Sequence, residues 1–105
     1  MNDDITIEDA VKKIGMNGVC VLDVRAPEER MRGYIAGSEN VNFYDLDFRN
    51  KLEKLDRTKT YIVHCALGGR SSKAVKMMKE LGFASAYNLL GGFGEWVKKG
   101  MKVGE

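Results

Sequence analysis

Two short, almost unbroken apolar runs, Val19-Cys20-Val21-Leu22-Asp23-Val24 and Thr60-Tyr61-Ile62-Val63-His64, constrain this chain more than any other feature. A strand with one wet face alternates apolar and polar residues, whereas a strand that is apolar throughout must be covered on both faces. Both runs are therefore expected as central strands of a parallel sheet, with helices supplied by the stretches between them. Thr6, with Asp9 three residues on, is placed to start a helix whose apolar face carries Val11 and Ile14. Pro27 before Glu28-Glu29 is placed as a first-turn residue of a second, short helix. Leu46, Leu52 and Leu55 lie at loose helical spacing within residues 43 to 55, and Asp56-Arg57-Thr58-Lys59 reads as a polar turn. Ser71 is placed to cap a helix to about Leu81, with Ala74, Val75, Met78 and Leu81 on one face and Gly82 as its stop. Ala86-Tyr87-Asn88-Leu89 reads as a further strand, and Gly91-Gly92 opens a last short helix that carries Trp96 and Val97. The expected architecture is an α/β domain, a parallel sheet with helices on both faces, formed by residues 1–105 as a single domain.

Composition narrows the function classes. Hydrophobic residues make up 44% and charged residues 30%, with no biased tract, so an ordinary packed core is expected. A formal charge of +2 with dispersed Lys and Arg gives no argument for nucleic acid as a partner. Met1-Asn2-Asp3-Asp4 has neither a basic start nor an apolar stretch, and no segment is long and apolar enough to enter a membrane. A cytoplasmic protein is the expectation. In that reducing compartment Cys20 and Cys65 are expected as thiols and not as a disulfide.

The chemistry is concentrated in His64-Cys65-Ala66-Leu67-Gly68-Gly69-Arg70-Ser71, between a buried strand and a helix start. A short loop at the carboxyl end of a parallel strand can aim several backbone N–H groups at one point and so make a nest for negative charge. Gly68 and Gly69 permit the backbone angles this needs. A cysteine at the mouth of such a nest is held as thiolate, the nucleophilic form. Arg70 has two readings: a bidentate contact to a substrate anion, or a tie between loop and scaffold. Asp23 and Arg25, at the end of the other central strand, can face the same edge of the sheet, as an ion pair of the scaffold or as substrate contacts. His64 neighbours Cys65 along a strand and so points to the opposite face. Cys20, within an apolar run, is read as core.

These residues resemble the rhodanese family. Cys65, Gly68, Arg70 and Ser71 match its loop, which is similar to CxxGxR followed by Ser or Thr. Asp23-Val24-Arg25 with Glu29, Gly33, Ile35, Gly37 and Asn40 resembles its DVR…E…GxIxGxxN segment, and Gly91-Gly92 with Trp96 resembles its GGxxxW ending. Together the motifs span about residues 5 to 100. The chain departs from the family at Tyr34, Ser38 and Asn42, where histidine, alanine and proline are usual, and at Arg30, a position often aromatic.

The resemblance implies a sulfurtransferase. Cys65 would be the nucleophile, taking a sulfane sulfur from a donor such as thiosulfate as a persulfide and passing it to cyanide or a thiol. Ala66, Leu67, Gly68, Gly69, Arg70 and Ser71 would bind the substrate, Asp23 and Arg25 would support them, and neither metal nor organic cofactor is implied. The neutral rim made by Ala66 and Leu67 points to modest activity on thiosulfate, or to a low-molecular-weight thiol or an acceptor protein as partner.

Two other functions compete. Cysteine phosphatases and arsenate reductases of related architecture share the strand, Cys, loop and Arg arrangement, but their loop is one residue longer than Ala66-Leu67-Gly68-Gly69. Rhodanese-like domains also serve as non-catalytic binding modules, usually after loss of the nucleophile that this chain retains at Cys65.

Overall fold

The computed structural model describes residues 3–104. In chain order the elements are β1 (Asp4–Ile5), α1 (Ile7–Lys13), β2 (Val19–Asp23), α2 (Pro27–Arg30), β3 (Tyr34–Ile35), β4 (Glu39–Asn40), α3 (Phe48–Glu53), β5 (Thr60–His64), α4 (Gly69–Glu80), β6 (Ala86–Leu89), α5 (Gly92–Lys98) and β7 (Val103–Gly104). Five strands form one sheet in the order β1-β6-β5-β2-β4, with each neighbouring pair parallel. β3 and β7 pair antiparallel beside it.

The apolar runs are the middle of this sheet, and successive residues divide between two cores as strand geometry requires. Leu22, Tyr61, Val63 and Ala86 pack with Phe48 and Leu52 of α3 and with Ala74, Val75 and Met78 of α4. Val21, Ile62 and Leu89 face the other way, against Ile7 and Ala10 of α1 and Trp96 of α5. This is the α/β architecture expected, with helices on both faces.

Several local expectations are corrected. Ser71 does not cap α4: the cap is Gly68, whose φ of 122° suits glycine, and Ser71 lies buried in the first turn. Between 43 and 55 only Phe48–Glu53 is helical. The Asn42 side chain accepts the Tyr44 N–H at 3.0 Å, a turn that competes with helix, and Leu46 is left fully exposed. In α1 the Thr6 hydroxyl does accept the Asp9 N–H at 3.1 Å, but the buried face is Ile7 and Ala10, with Val11 exposed. Among the described residues no helix is long and apolar enough to cross a membrane.

Sheet order fixes where chemistry can occur. From β2 the chain moves outward to β4, whereas from its neighbour β5 it moves the other way, to β6. The carboxyl ends of β2 and β5 therefore border a crevice that no crossover fills, which is where ligands bind in open parallel sheets. Asp23 pairs with His64 in register, so the segments that begin at Val24 and Cys65 leave the sheet side by side. Because Leu52 is completely buried where α3 meets β2 and β5, Leu52→Ala is expected to destabilise the protein by about 2–5 kcal/mol. Chemical denaturation with unchanged slope is the measurement.

Candidate functional site

Cys65 follows directly on β5 and is only 2% exposed. Its Sγ accepts the Gly68 N–H at 3.1 Å and lies 3.3 Å from the Ser71 hydroxyl. Burial pushes the thiol up, but the Ser71 hydroxyl and the N–H groups of Ser71, Gly68 and Leu67 outweigh it, so the thiol sits below its ordinary value. The arrangement stabilises negative charge on sulfur by main-chain donors at the start of a helix.

The loop keeps this shape because α5 holds it from behind. The carbonyls of Cys65 and Ala66 accept the N–H groups of Phe93 at 2.8 Å and Gly94 at 3.1 Å. With the carbonyls turned toward α5, the loop amides are free to turn toward Sγ. The approach requires Gly92, because a Cβ there would stand 2.5 Å from the Cys65 carbonyl oxygen and 2.7 Å from that of Ala66.

Arg70 is clamped from the side. Its Nη1 and Nη2 donate to Glu29 Oε1 and Oε2 at 2.7 and 2.9 Å, and Glu29 Oε1 also accepts the Ala26 N–H at 3.0 Å. The guanidinium holds the Glu29 carboxyl down at about 2. In this conformation Arg70 ties the loop to α2, while its charge remains close enough to Cys65 to favour thiolate.

Asp23 and Arg25 form a buried pair one strand away. Asp23 Oδ1 accepts the Arg25 N–H at 2.9 Å and Nε at 3.0 Å, and Oδ2 accepts Nη2 at 2.9 Å. Arg25 Nη2 also donates to the Gly33 carbonyl at 2.8 Å and its guanidinium lies 4.2 Å over the Phe93 ring. Burial works against the Asp23 carboxylate, but the Arg25 hydrogen bonds and the charges around it keep its pKa below the ordinary range. His64 lies on the same side as this pair, stacked on Phe93, with Nε2 4.0 Å from Asp23 Oδ1. Burial pushes His64 below its ordinary range, so it stands as neutral imidazole on the face opposite Cys65 Sγ.

Three of the four departures from the family motif, Arg30, Tyr34 and Ser38, form one connected group, whereas Asn42 serves the turn at Tyr44. Arg30 Nη1 and Nη2 donate to Ser38 Oγ at 2.9 Å and to its carbonyl at 2.7 Å, and the guanidinium covers the Tyr34 ring at 4.4 Å. The same Nη1 lies 3.4 Å from Asp23 Oδ2, so the group braces the Asp23–Arg25 pair.

Sequence reasoning assigned no role to Glu29, Asn88 or the first turn of α5. Asn88 had a visible signal, an amide inside the otherwise apolar and aromatic run Ala86-Tyr87-Asn88-Leu89. It accepts the Ser71 hydroxyl at 2.6 Å and donates to Asp4 at 3.1 Å.

A family model, the Rhodanese-like domain, matches residues 6–99 of this chain. The chain belongs to that family. A rhodanese-related protein from Thermoplasma volcanium superposes with a TM-score of 0.86 at 36% identity, over 96% of each chain. Thiosulfate sulfurtransferase GlpE of Ectopseudomonas mendocina is 33% identical over 81% of this chain and 76% of its own length. A protein from Rhodopseudomonas palustris, named as a possible tyrosine phosphatase, is 28% identical with a TM-score of 0.80, covering 98% of this chain and 85% of its own. The rhodanese-like fold expected from the three motifs is the fold observed.

Two outcomes follow from this geometry. Gly92→Ala, by pushing on two loop carbonyls, is expected to raise the pH midpoint of Cys65 alkylation toward that of an ordinary thiol while circular dichroism stays unchanged. The Glu29 carboxyl is depressed in the folded state from 4.5 to about 2, so its contribution to stability is present above about pH 4.5 and lost as pH falls toward 2. Glu29→Gln should therefore destabilise the protein at neutral pH and lose that deficit on acidification, as denaturation across a pH series would show.

Proposed function

We propose that the protein is a sulfurtransferase that moves a sulfane sulfur from a donor such as thiosulfate to a thiophilic acceptor, cyanide or a thiol, through a persulfide on Cys65. The observation that carries this reading is the small ring of N–H donors drawn around one sulfur atom. Cys65 thiolate attacks the outer sulfur of thiosulfate, a new S–S bond forms, the old one breaks, and sulfite leaves with the electron pair. The outer sulfur of the persulfide then bears the negative charge. The amides of Leu67, Gly68 and Ser71, which already act on Sγ, supply stabilisation of the oxyanion-hole kind. The acceptor attacks that outer sulfur and Cys65 returns as thiolate, so electrons balance without a redox partner.

Arg70 adds positive charge beside the sulfur and fixes the loop through Glu29. Asp23 and Arg25 support the neighbouring strand end. Both cysteines are free, and a thiolate nucleophile suits a reducing compartment, so the reading places a single working domain of residues 1–105 in the cytoplasm. Leu67, 80% exposed on the rim, favours an acceptor with apolar surface near its thiol, a small molecule or a protein.

A phosphatase is the competing reading, favoured by the likeness to the Rhodopseudomonas palustris protein. Loop size argues against it. Four residues separate Cys65 from Arg70, and the Gly68 N–H already stands 3.1 Å from Sγ. A phosphoryl group needs room for three equatorial oxygens and an in-line leaving group, whereas a persulfide adds one atom.

Mass spectrometry after exposure to thiosulfate is the test. The native protein and Cys20→Ser should both carry a trapped persulfide and retain sulfur transfer, whereas Cys65→Ser should carry none and lose transfer completely. Cys65-dependent turnover of an aryl phosphate exceeding sulfur transfer would overturn the assignment.

A further inference from the structure

The Ser71 hydroxyl faces two acceptors and has one proton. Oγ lies 2.6 Å from Asn88 Oδ1 and 3.3 Å from Cys65 Sγ. Which end of the Asn88 amide faces Ser71 is set at its other side, where Nδ2 donates to Asp4 Oδ1 at 3.1 Å. A carboxylate only accepts, so it takes the NH2 end, and the carbonyl end is turned to Ser71. That carbonyl can also only accept, so the shorter contact takes the Ser71 proton.

We infer that Asn88, oriented by Asp4, is a positioning residue that competes with Cys65 for the Ser71 proton and thereby biases the site away from free thiolate and toward the sulfur-loaded state. The second half rests on the persulfide reading above. When sulfur is loaded, charge moves from Sγ to the outer sulfur and the Ser71 proton is no longer needed at Sγ. Asn88 then keeps it without loss. When Cys65 is a free thiolate, the same proton is contested. The three loop N–H groups serve both states, while Ser71 distinguishes them.

Substitution at Asp4 or Asn88 leaves the other nearby charges in place. Arg70 with Glu29 stands on the loop side, and Asp23, Arg25 and His64 lie across the sheet. Lys73, Lys76 and Lys79 line the recess that also holds Asp4 and Asn88, with Lys79 paired to Asp3.

The test is a pH series of Cys65 alkylation, with Cys20 replaced by serine throughout. Asn88→Ala should raise the thiolate fraction below the midpoint by about three- to tenfold, the net scale of one ordinary hydrogen bond. Asp4 is exposed, so Asp4→Ala keeps the fold if Asn88→Ala does not. It frees the amide to turn and should act in the same direction. Removing the Asp4 charge would also favour thiolate, so Ser71→Ala supplies the control: in that background the gain from either substitution should vanish. An unchanged or raised midpoint in a folded variant, or a gain that persists without the Ser71 hydroxyl, would overturn the proposal. In mixtures of thiosulfate and sulfite, Asn88→Ala should hold several-fold less persulfide relative to thiolate than the parent. Equal loading would overturn the bias toward the loaded state. If the parent forms no persulfide at all, the sulfurtransferase reading fails, and the alkylation series still decides whether Asn88 controls the Ser71 proton.

Discussion

Two backbone hydrogen bonds, from Phe93 and Gly94 at the start of α5 to the carbonyls of Cys65 and Ala66, hold the orientation of the first two peptide units of the loop. A peptide unit has a donor at one edge and an acceptor at the other, so fixing the carbonyls on one side commits the N–H groups to the opposite side. Of the N–H groups that act on Sγ, that of Leu67 shares its peptide plane with the Ala66 carbonyl and is committed in this way. The approach works only because position 92 has no side chain. The glycine pair near the end of the chain and the cysteine loop are thus one device built from two distant segments.

The sheet supplies the second constraint. Placing β2 beside β5, with the chain diverging from them in opposite directions, leaves the strand ends open and puts α2 within reach of Arg70. Glu29 then joins two segments 41 residues apart in sequence. Within the buried Asp23–Arg25 pair the guanidinium donates twice to the carboxylate and once to the Gly33 carbonyl. A buried pair of this kind is costly to break, because either partner left alone is an uncompensated charge. It contributes rigidity to the edge of the crevice.

Much of this was legible in the sequence because it depends on local pattern. The runs 19–24 and 60–64 contain little but apolar and β-branched residues, and they became β2 and β5. The order of the three motifs carried the family, and the alternation rule put His64 opposite Cys65. What stayed hidden depends on tertiary partners. β1, β3, β4 and β7 are two residues each and too short for any period. Ser71 looked like a cap because serine before a helical run usually is one, but Gly68 begins the helix earlier and Asn88, from another strand, takes the hydroxyl. Leu46 had the spacing of a core residue, but the turn at Asn42 keeps it outside. Glu29 and Gly92 stood within recognisable motifs, although no sequence rule says that one holds Arg70 and the other makes room for two carbonyls.

The donors around Cys65 are main-chain groups, with Ser71 the one side chain among them, whereas the rim carries Ala66 and the outward-facing Leu67. Floor and rim are therefore separable under selection. Side chains at 66 and 67 can be exchanged without removing a donor from the floor, so lineages can reshape the rim while the main-chain donors around Cys65 persist. Position 92 has no such freedom. The same loop is thus open to drift on its outer surface and closed to it where α5 supports it.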